Sequence, residues 1–195
     1  MIRTEDVIGF FDGMAPGWDA GLKRNETAIA RILNNARINE GVSVLDVATG
    51  TGVLIPDYLS RKVSSVTAID ISPEMVKVAI GKFAGKGVTF LCGDASKTDF
   101  GRLFDRIVIF NAFPHFADQE GFIEKMSSLL TSGGYLTVCH DIGKVKLDEH
   151  HKTVADTVSS QLMEADDLAA IFAKYLEVTC VVSEDDMYQV VGRKR

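Results

Sequence analysis

The chain has 195 residues, 46% of them hydrophobic and 25% charged, a composition that suits a globular protein with a substantial buried core. Its net charge of −6 argues against a nucleic-acid groove, which needs clustered Lys and Arg to neutralise phosphates. No stretch approaches the roughly 18 uninterrupted apolar residues of a membrane-spanning helix.

In chain order, Met1-Ile2-Arg3-Thr4-Glu5-Asp6 carries an acidic pair and lacks the apolar core of a signal peptide. Residues 1–26 hold Phe10, Phe11 and Trp18. A helix is expected over 27–35, where Ile29, Ile32 and Leu33 share one face. Strands are expected at 43–47, 65–69, 88–91, 104–110 and 135–139, mostly continuous apolar runs as in strands covered on both faces. Between them lie helices over 53–59, over 73–83 (Ser72 as N-cap, Pro73 in the first turn) and over 120–130, the last closed by Ser132-Gly133-Gly134. Residues 140–163 interrupt the pattern and contain three of the four histidines. A helix over 165–175 follows. The runs 176–182 and 188–191 are then separated by only Ser183-Glu184-Asp185-Asp186-Met187. A parallel return needs a crossover of about a dozen residues, so these two strands must be antiparallel.

The pattern predicts one α/β domain: a three-layer sandwich around a seven-stranded, mostly parallel sheet that ends in an antiparallel hairpin. Residues 1–40 form an N-terminal helical cap segment and 140–163 a lid-like insertion. Cys92, Cys139 and Cys180 are odd in number and widely spaced, as reduced thiols in a cytoplasmic protein would be. No CxxC or HxxxH spacing suggests a metal site. Arg193-Lys194-Arg195 reads as a solvated tail.

The chemistry concentrates in Asp46-Val47-Ala48-Thr49-Gly50-Thr51-Gly52, which runs from a buried strand into a tight turn and a helix. Small residues at 48, 50 and 52 allow close approach of a ligand, and the following helix N-terminus offers unpaired N–H donors. Alone, such a loop is equally a plain βα turn. Asp70 ends the next strand about 20 residues on, where a carboxylate can accept both hydroxyls of an adenosine ribose. Ser72, not Asp70, fills the N-cap role beside it.

Five motifs in order then resemble those of class I S-adenosylmethionine-dependent methyltransferases, which have a Rossmann-like fold. They are the loop itself (Ala48 replacing a Gly), Ile69-Asp70-Ile71-Ser72-Pro73-Glu74-Met75, Phe90-Leu91-Cys92-Gly93-Asp94-Ala95, Phe104 to Asn111, and Leu129 to Leu136 with Ser132 replacing Pro. Phe11-Asp12-Gly13-Met14-Ala15 with Trp18-Asp19 is similar to the N-terminal segment of the ubiquinone/menaquinone-biosynthesis-like small-molecule methyltransferases. The resemblance implies S-adenosylmethionine as cofactor. It places Asp46, Ala48, Gly50 and Gly52 at the methionine end, Asp70 on the ribose, Ile71 and Met75 against the adenine, Asp94 and Ala95 at the adenine edge, and Asn111 and Ala112 beside the methyl.

A general base is needed only where the attacking atom must lose a proton. His115 and His140 follow strand C-termini and are candidates, each equally able to serve a backbone hydrogen bond. Asp141 could orient His140 or cap a helix. Phe11, Trp18, Phe113, His115, His150 and His151 are candidates for contact with a small-molecule methyl acceptor. The aromatics are equally explained as core, and the His pair, whose members point about 100° apart on a helix, as a solvated face. The string His140-Asp141-Ile142-Gly143-Lys144 resembles a phosphohydrolase metal motif but ends a strand instead of lying on a helix. A monomer or homodimer without nucleic-acid or membrane partners is expected. A non-catalytic cofactor-binding sensor or partner subunit is the alternative. A nicotinamide oxidoreductase is disfavoured by the later motifs.

Overall fold

A computed structural model describes residues 2–154 and 158–195, with 150–154 described by backbone alone. The expected apolar runs form β1 (Ser43–Val47), β2 (Ser65–Asp70), β3 (Val88–Cys92), β4 (Phe104–Phe110) and β5 (Leu130–His140). These pair in parallel. The hairpin β6 (Glu177–Glu184) and β7 (Met187–Arg193) joins antiparallel, with β7 inserted beside β5. The order is β3-β2-β1-β4-β5-β7-β6, so the predicted α/β class and terminal hairpin both hold.

The helices are α1 (Thr4–Met14), α2 (Trp18–Gly21), α3 (Glu26–Asn35), α4 (Ile55–Ser60), α5 (Pro73–Phe83), α6 (Gln119–Ser128), α7 (Lys144–Val154) and α8 (Ala165–Tyr175). Side-chain alternation sorts each strand between two cores. Leu45, Ile107, Leu136 and Val138 pack with Phe122 and Ile123 of α6 and Leu168 and Phe172 of α8. On the opposite face Val44, Val108 and Cys139 pack with Ile29, Ile32 and Leu33 of α3, Tyr58 of α4 and Phe83 of α5. That is the three-layer arrangement.

Side-chain caps fix where three helices begin. Asn25 accepts from Ala28 N–H, Ser72 from Met75 N–H, and Asp118 from Gly121 N–H. Ser72 and Pro73 therefore do what their positions imply.

Ser132-Gly133-Gly134 does not. Helix α6 ends at Ser128, and these residues lie inside β5, where the register with β4 shifts between Phe104 and Arg106. Gly133 has φ +74°, and a Cβ on Gly134 would sit 2.9 Å from the Thr131 carbonyl oxygen. The two glycines serve a strand irregularity instead of a helix stop, because Leu130 already pairs with Phe104.

The N-terminal elements lie across the sheet's C-terminal end and are tied down by two carboxylates. Asp12 accepts from the Ser72 hydroxyl at 2.5 Å. Asp19 accepts from the Thr51 hydroxyl at 2.6 Å and pairs with Lys82 at 2.7 Å. Val7 and Val158 form a small cluster there with Phe10, Phe11 and Ile71 packed against it. Among the described residues no helix is long and apolar enough to cross a membrane.

Candidate functional site

The strand order turns back between β1 and β4, and ligands of open α/β sheets bind beyond the strand C-termini at such a switch point. A cavity of about 1090 Å³ lies there. Asp46, Ala48, Gly50, Asp70, Ile71, Met75, Asp94, Ala95, Asn111 and Ala112 line it, as do Phe11, Trp18 and His115. Residues drawn from the ends of β1, β2, β3 and β4 and from α1, α2 and α5 are thus brought to one place.

The loop's backbone explains its composition. Ala48 (φ +55°), Gly50 (φ +55°) and Gly52 (φ +85°) all occupy the left-handed region. A Cβ on Gly50 would meet nothing within 4 Å. Gly52 does not line the cavity: a Cβ there would lie 2.8 Å from Ile55 Cδ1 and from Phe83 Cε2. Its smallness serves helix packing instead of ligand approach, which corrects the reading above.

Two buried acids anchor the floor. Asp46 accepts from the Thr49 hydroxyl at 2.5 Å and the Tyr58 hydroxyl at 3.0 Å. Burial pushes its carboxyl up to about 6, against the lowering effect of both donors. Asp70 accepts from Gly50 N–H at 2.7 Å and Ser72 N–H at 2.9 Å, one on each oxygen. Burial raises its carboxyl as well, outweighing those backbone donors. Asp94 is the contrary case. Burial raises it, but the Ser96 side chain and then Lys97, 3.1 Å away, together hold it below its ordinary value. Tyr58 and Lys62 stand at the Tyr-x-x-x-Lys spacing of a nicotinamide enzyme. Tyr58, however, is buried on Asp46, Lys62 is exposed, and neither lines the cavity.

The histidines divide. His115 lines the cavity, its Nδ1 2.9 Å from the Val158 carbonyl oxygen and its ring 5.0 Å from that of Phe11. His140, expected at the mouth, is fully buried and lines no part of the cavity. It shares strand parity with Leu136 and Val138, which face the α6/α8 core, and its ring lies 5.9 Å from that of Tyr188. Asp141 does not orient His140. Its carboxylate accepts from Asn111 Nδ2 at 2.8 Å and Asn25 N–H at 3.0 Å, joining the end of β4 to the start of α3. Phe113 is fully buried in the core and away from the cavity. The side chains of His150 and His151 lie outside the described residues. Among the described residues no group of three or more His, Cys, Asp or Glu is placed to hold a metal ion.

The cavity also takes in residues that no sequence signal marked: Val7, Leu22, Arg24, Lys125 and Leu147. They come from four separate helices and connections, and nothing in their spacing announces a shared wall.

A family model described as a methyltransferase domain matches residues 44–134, the span from β1 into β5 that carries the first four motifs and the start of the fifth. Residues 44–134 are thus similar to the methyltransferase-domain family. The chain is 33% identical over 139 residues to a malonyl-[acyl-carrier protein] O-methyltransferase of Acetivibrio thermocellus, covering 70% of this chain and 49% of that one. It is 29% identical over 140 residues to a demethylmenaquinone methyltransferase of Mycobacterium tuberculosis, covering 69% and 58%. The chain thus spans about half the length of the curated relatives it matches. Its methyltransferase fold is shared with N-methyltransferase NodS from Bradyrhizobium japonicum WM9, solved with S-adenosyl-L-homocysteine. That match has a TM-score of 0.73 and 14% identity, and covers 98% of this chain and 97% of that one.

Proposed function

We propose that the chain is an S-adenosylmethionine-dependent methyltransferase acting on a small molecule by in-line displacement. The observation that carries this reading is the shared cavity of the left-handed Ala48–Gly50 turn and Asp70 at the strand C-termini. These residues fit an adenosyl cofactor. The Asp70 carboxylate, oriented by the Gly50 and Ser72 N–H groups on its two oxygens, keeps acceptor capacity for a ribose hydroxyl. Trp18 Nε1 is a buried donor with no hydrogen-bond partner among the described residues, and its residue lines the same cavity.

In this reading Asp46 and the Ala48–Gly50 backbone hold the methionine end, and Asp70 holds the ribose. Ile71 and Met75 flank the adenine, and Asp94 with Ala95 meets its edge. Asn111 and Ala112 lie beside the methyl, with Asn111 held by Asp141. The cofactor, when bound, supplies a methyl already activated by its sulfonium. The protein's work is alignment and exclusion of water, which fall to Phe11 and Trp18 of the cap segment (1–40) and to Ile142 and Leu147 of the 140–163 lid. His115 is the candidate base. Its ring lines the cavity with Nδ1 2.9 Å from the Val158 carbonyl oxygen, within reach of a proton leaving the methyl acceptor. A cytoplasmic location is supported by three free cysteines, and the absence of a nucleic-acid partner by the net charge of −6.

Calorimetric titration with S-adenosylmethionine, S-adenosylhomocysteine and NAD tests the cofactor. The first two should bind and NAD should not; binding of NAD alone would sink the proposal. Asp70→Ala should weaken S-adenosylhomocysteine by at least about tenfold, the loss of hydrogen bonds to a charged group. Transfer of labelled methyl from S-adenosylmethionine to small molecules of a cell extract tests catalysis, and its absence under all conditions would favour a sensor.

A further inference from the structure

The cavity exceeds the roughly 300–1,000 Å³ of ordinary single-ligand pockets, so cofactor and methyl acceptor can share it. Its charges are unevenly committed. Asp46, Asp70, Asp94 and Asp141 hold the donors described above, and Asp118 accepts from Gly121 N–H at 3.0 Å. Among the cations of the wall, Arg24 bonds Glu26 and Asp57, each at 2.8 Å, and Lys97 pairs with Asp94. Lys23 is exposed.

Lys125 differs from all of these. It is half-buried, lines the cavity one helical turn from Gly121, and has no ion pair among the described residues. Phe116 and Phe122, stacked with centroids 3.9 Å apart, line the same wall. A cation on a cavity wall with no ion partner of its own is available to pair with an anion that a ligand brings.

We infer that Lys125 anchors an anionic group of the methyl acceptor, which is therefore an apolar small molecule bearing a carboxylate, sulfonate or phosphate. This rests on the methyltransferase reading of the same cavity. The carboxylates cluster at the strand ends, where a cationic sulfonium belongs, and Lys125 stands on the α6 wall beside the aromatic pair. A neutral methyl acceptor would leave that cation uncompensated.

The test uses the full chain saturated with S-adenosylhomocysteine and two fluorescent probes, anilinonaphthalene sulfonate and its neutral parent N-phenylnaphthylamine. Energy transfer from Trp18, the one tryptophan of the chain and a cavity residue, reports binding at this site. The neutral parent is the more apolar, so a cation in the wall is needed for the sulfonate to bind better. The wild type should prefer the sulfonate by about tenfold, Lys125→Gln should abolish that preference, and Lys125→Arg should retain it. Lys23→Gln should change it less than about twofold, because an exposed charge is screened. Equal affinities in the wild type, a preference intact in Lys125→Gln, or a preference lost in Lys23→Gln would each overturn the inference. Titration of S-adenosylhomocysteine in the same proteins keeps the two readings apart. Its failure to bind the wild type sinks the methyltransferase reading, whereas normal binding without the sulfonate preference sinks the Lys125 inference alone.

Discussion

Asp46 is a carboxyl held in the dark of the β1 end by two hydroxyls, and its protonation is coupled to folding. Its folded value, about 6, lies above the ordinary 3.8. A raised carboxyl contributes stability below its unfolded value, and that contribution is lost as pH rises through the folded one. The wild type should therefore lose stability between about pH 4 and pH 6, and Asp46→Asn should flatten that slope when urea midpoints are followed against pH. An unchanged slope would mean that Asp46 is ionised throughout. Ala48 makes a second residue-scale case. Its left-handed backbone costs an L-residue about 1–2 kcal/mol. Glycine removes that strain but gives the unfolded chain back about 0.4–1 kcal/mol of entropy. Ala48→Gly should therefore raise the Tm by about 2 °C in a thermal melt. A lower Tm would show that the methyl packs usefully.

Among the elements, the N-terminal helices are the part whose placement depends most on single side chains. Asp12 on Ser72 and Asp19 on Thr51 connect α1 and α2 to the hydroxyls of two fully buried residues. Asp12→Ala with Asp19→Ala should speed amide exchange in residues 4–21 by roughly tenfold, as expected for the loss of two charge-assisted hydrogen bonds. The strand amides should be unaffected. Unchanged exchange would assign the holding to Phe10 and Phe11 packing on Val7 and Val158. The helix signals at Ser72 and Pro73 were readable because a cap acts over three residues. Ser132-Gly133-Gly134 misled for the opposite reason: a glycine pair after a helix suits a stop and a strand irregularity equally, and the distant partner Phe104 decides between them.

Across the whole molecule, Gln189 joins the terminal hairpin to the rest. Buried on β7, it donates to the Ile32 carbonyl and the Thr137 hydroxyl, each at 3.0 Å, and accepts from Asn35 Nδ2 at 2.9 Å. Gln189→Leu would strand these groups at the junction of α3, β5 and β7. It should cost about 2 kcal/mol and lower the Tm by about 4–8 °C, read by calorimetry. A loss below about 0.5 kcal/mol would show that the hairpin is held by its apolar face.

The sequence by itself determined the strands, the tight loop at 46–52, the acid at 70 and the antiparallel ending. Each is written in consecutive residues, as an apolar period, a demand for left-handed backbone, or a connection too short to cross a sheet. Even His140 carried a warning in its parity with Leu136 and Val138, because alternation alone turns it to the core. Tertiary structure alone decided which wall each remote side chain joins. It separated His115 from His140, turned Asp141 to Asn111, moved Gly52 from the ligand to the packing of Phe83, and set Lys125 in the cavity. Those outcomes depend on contacts between residues tens of positions apart, which no local period records.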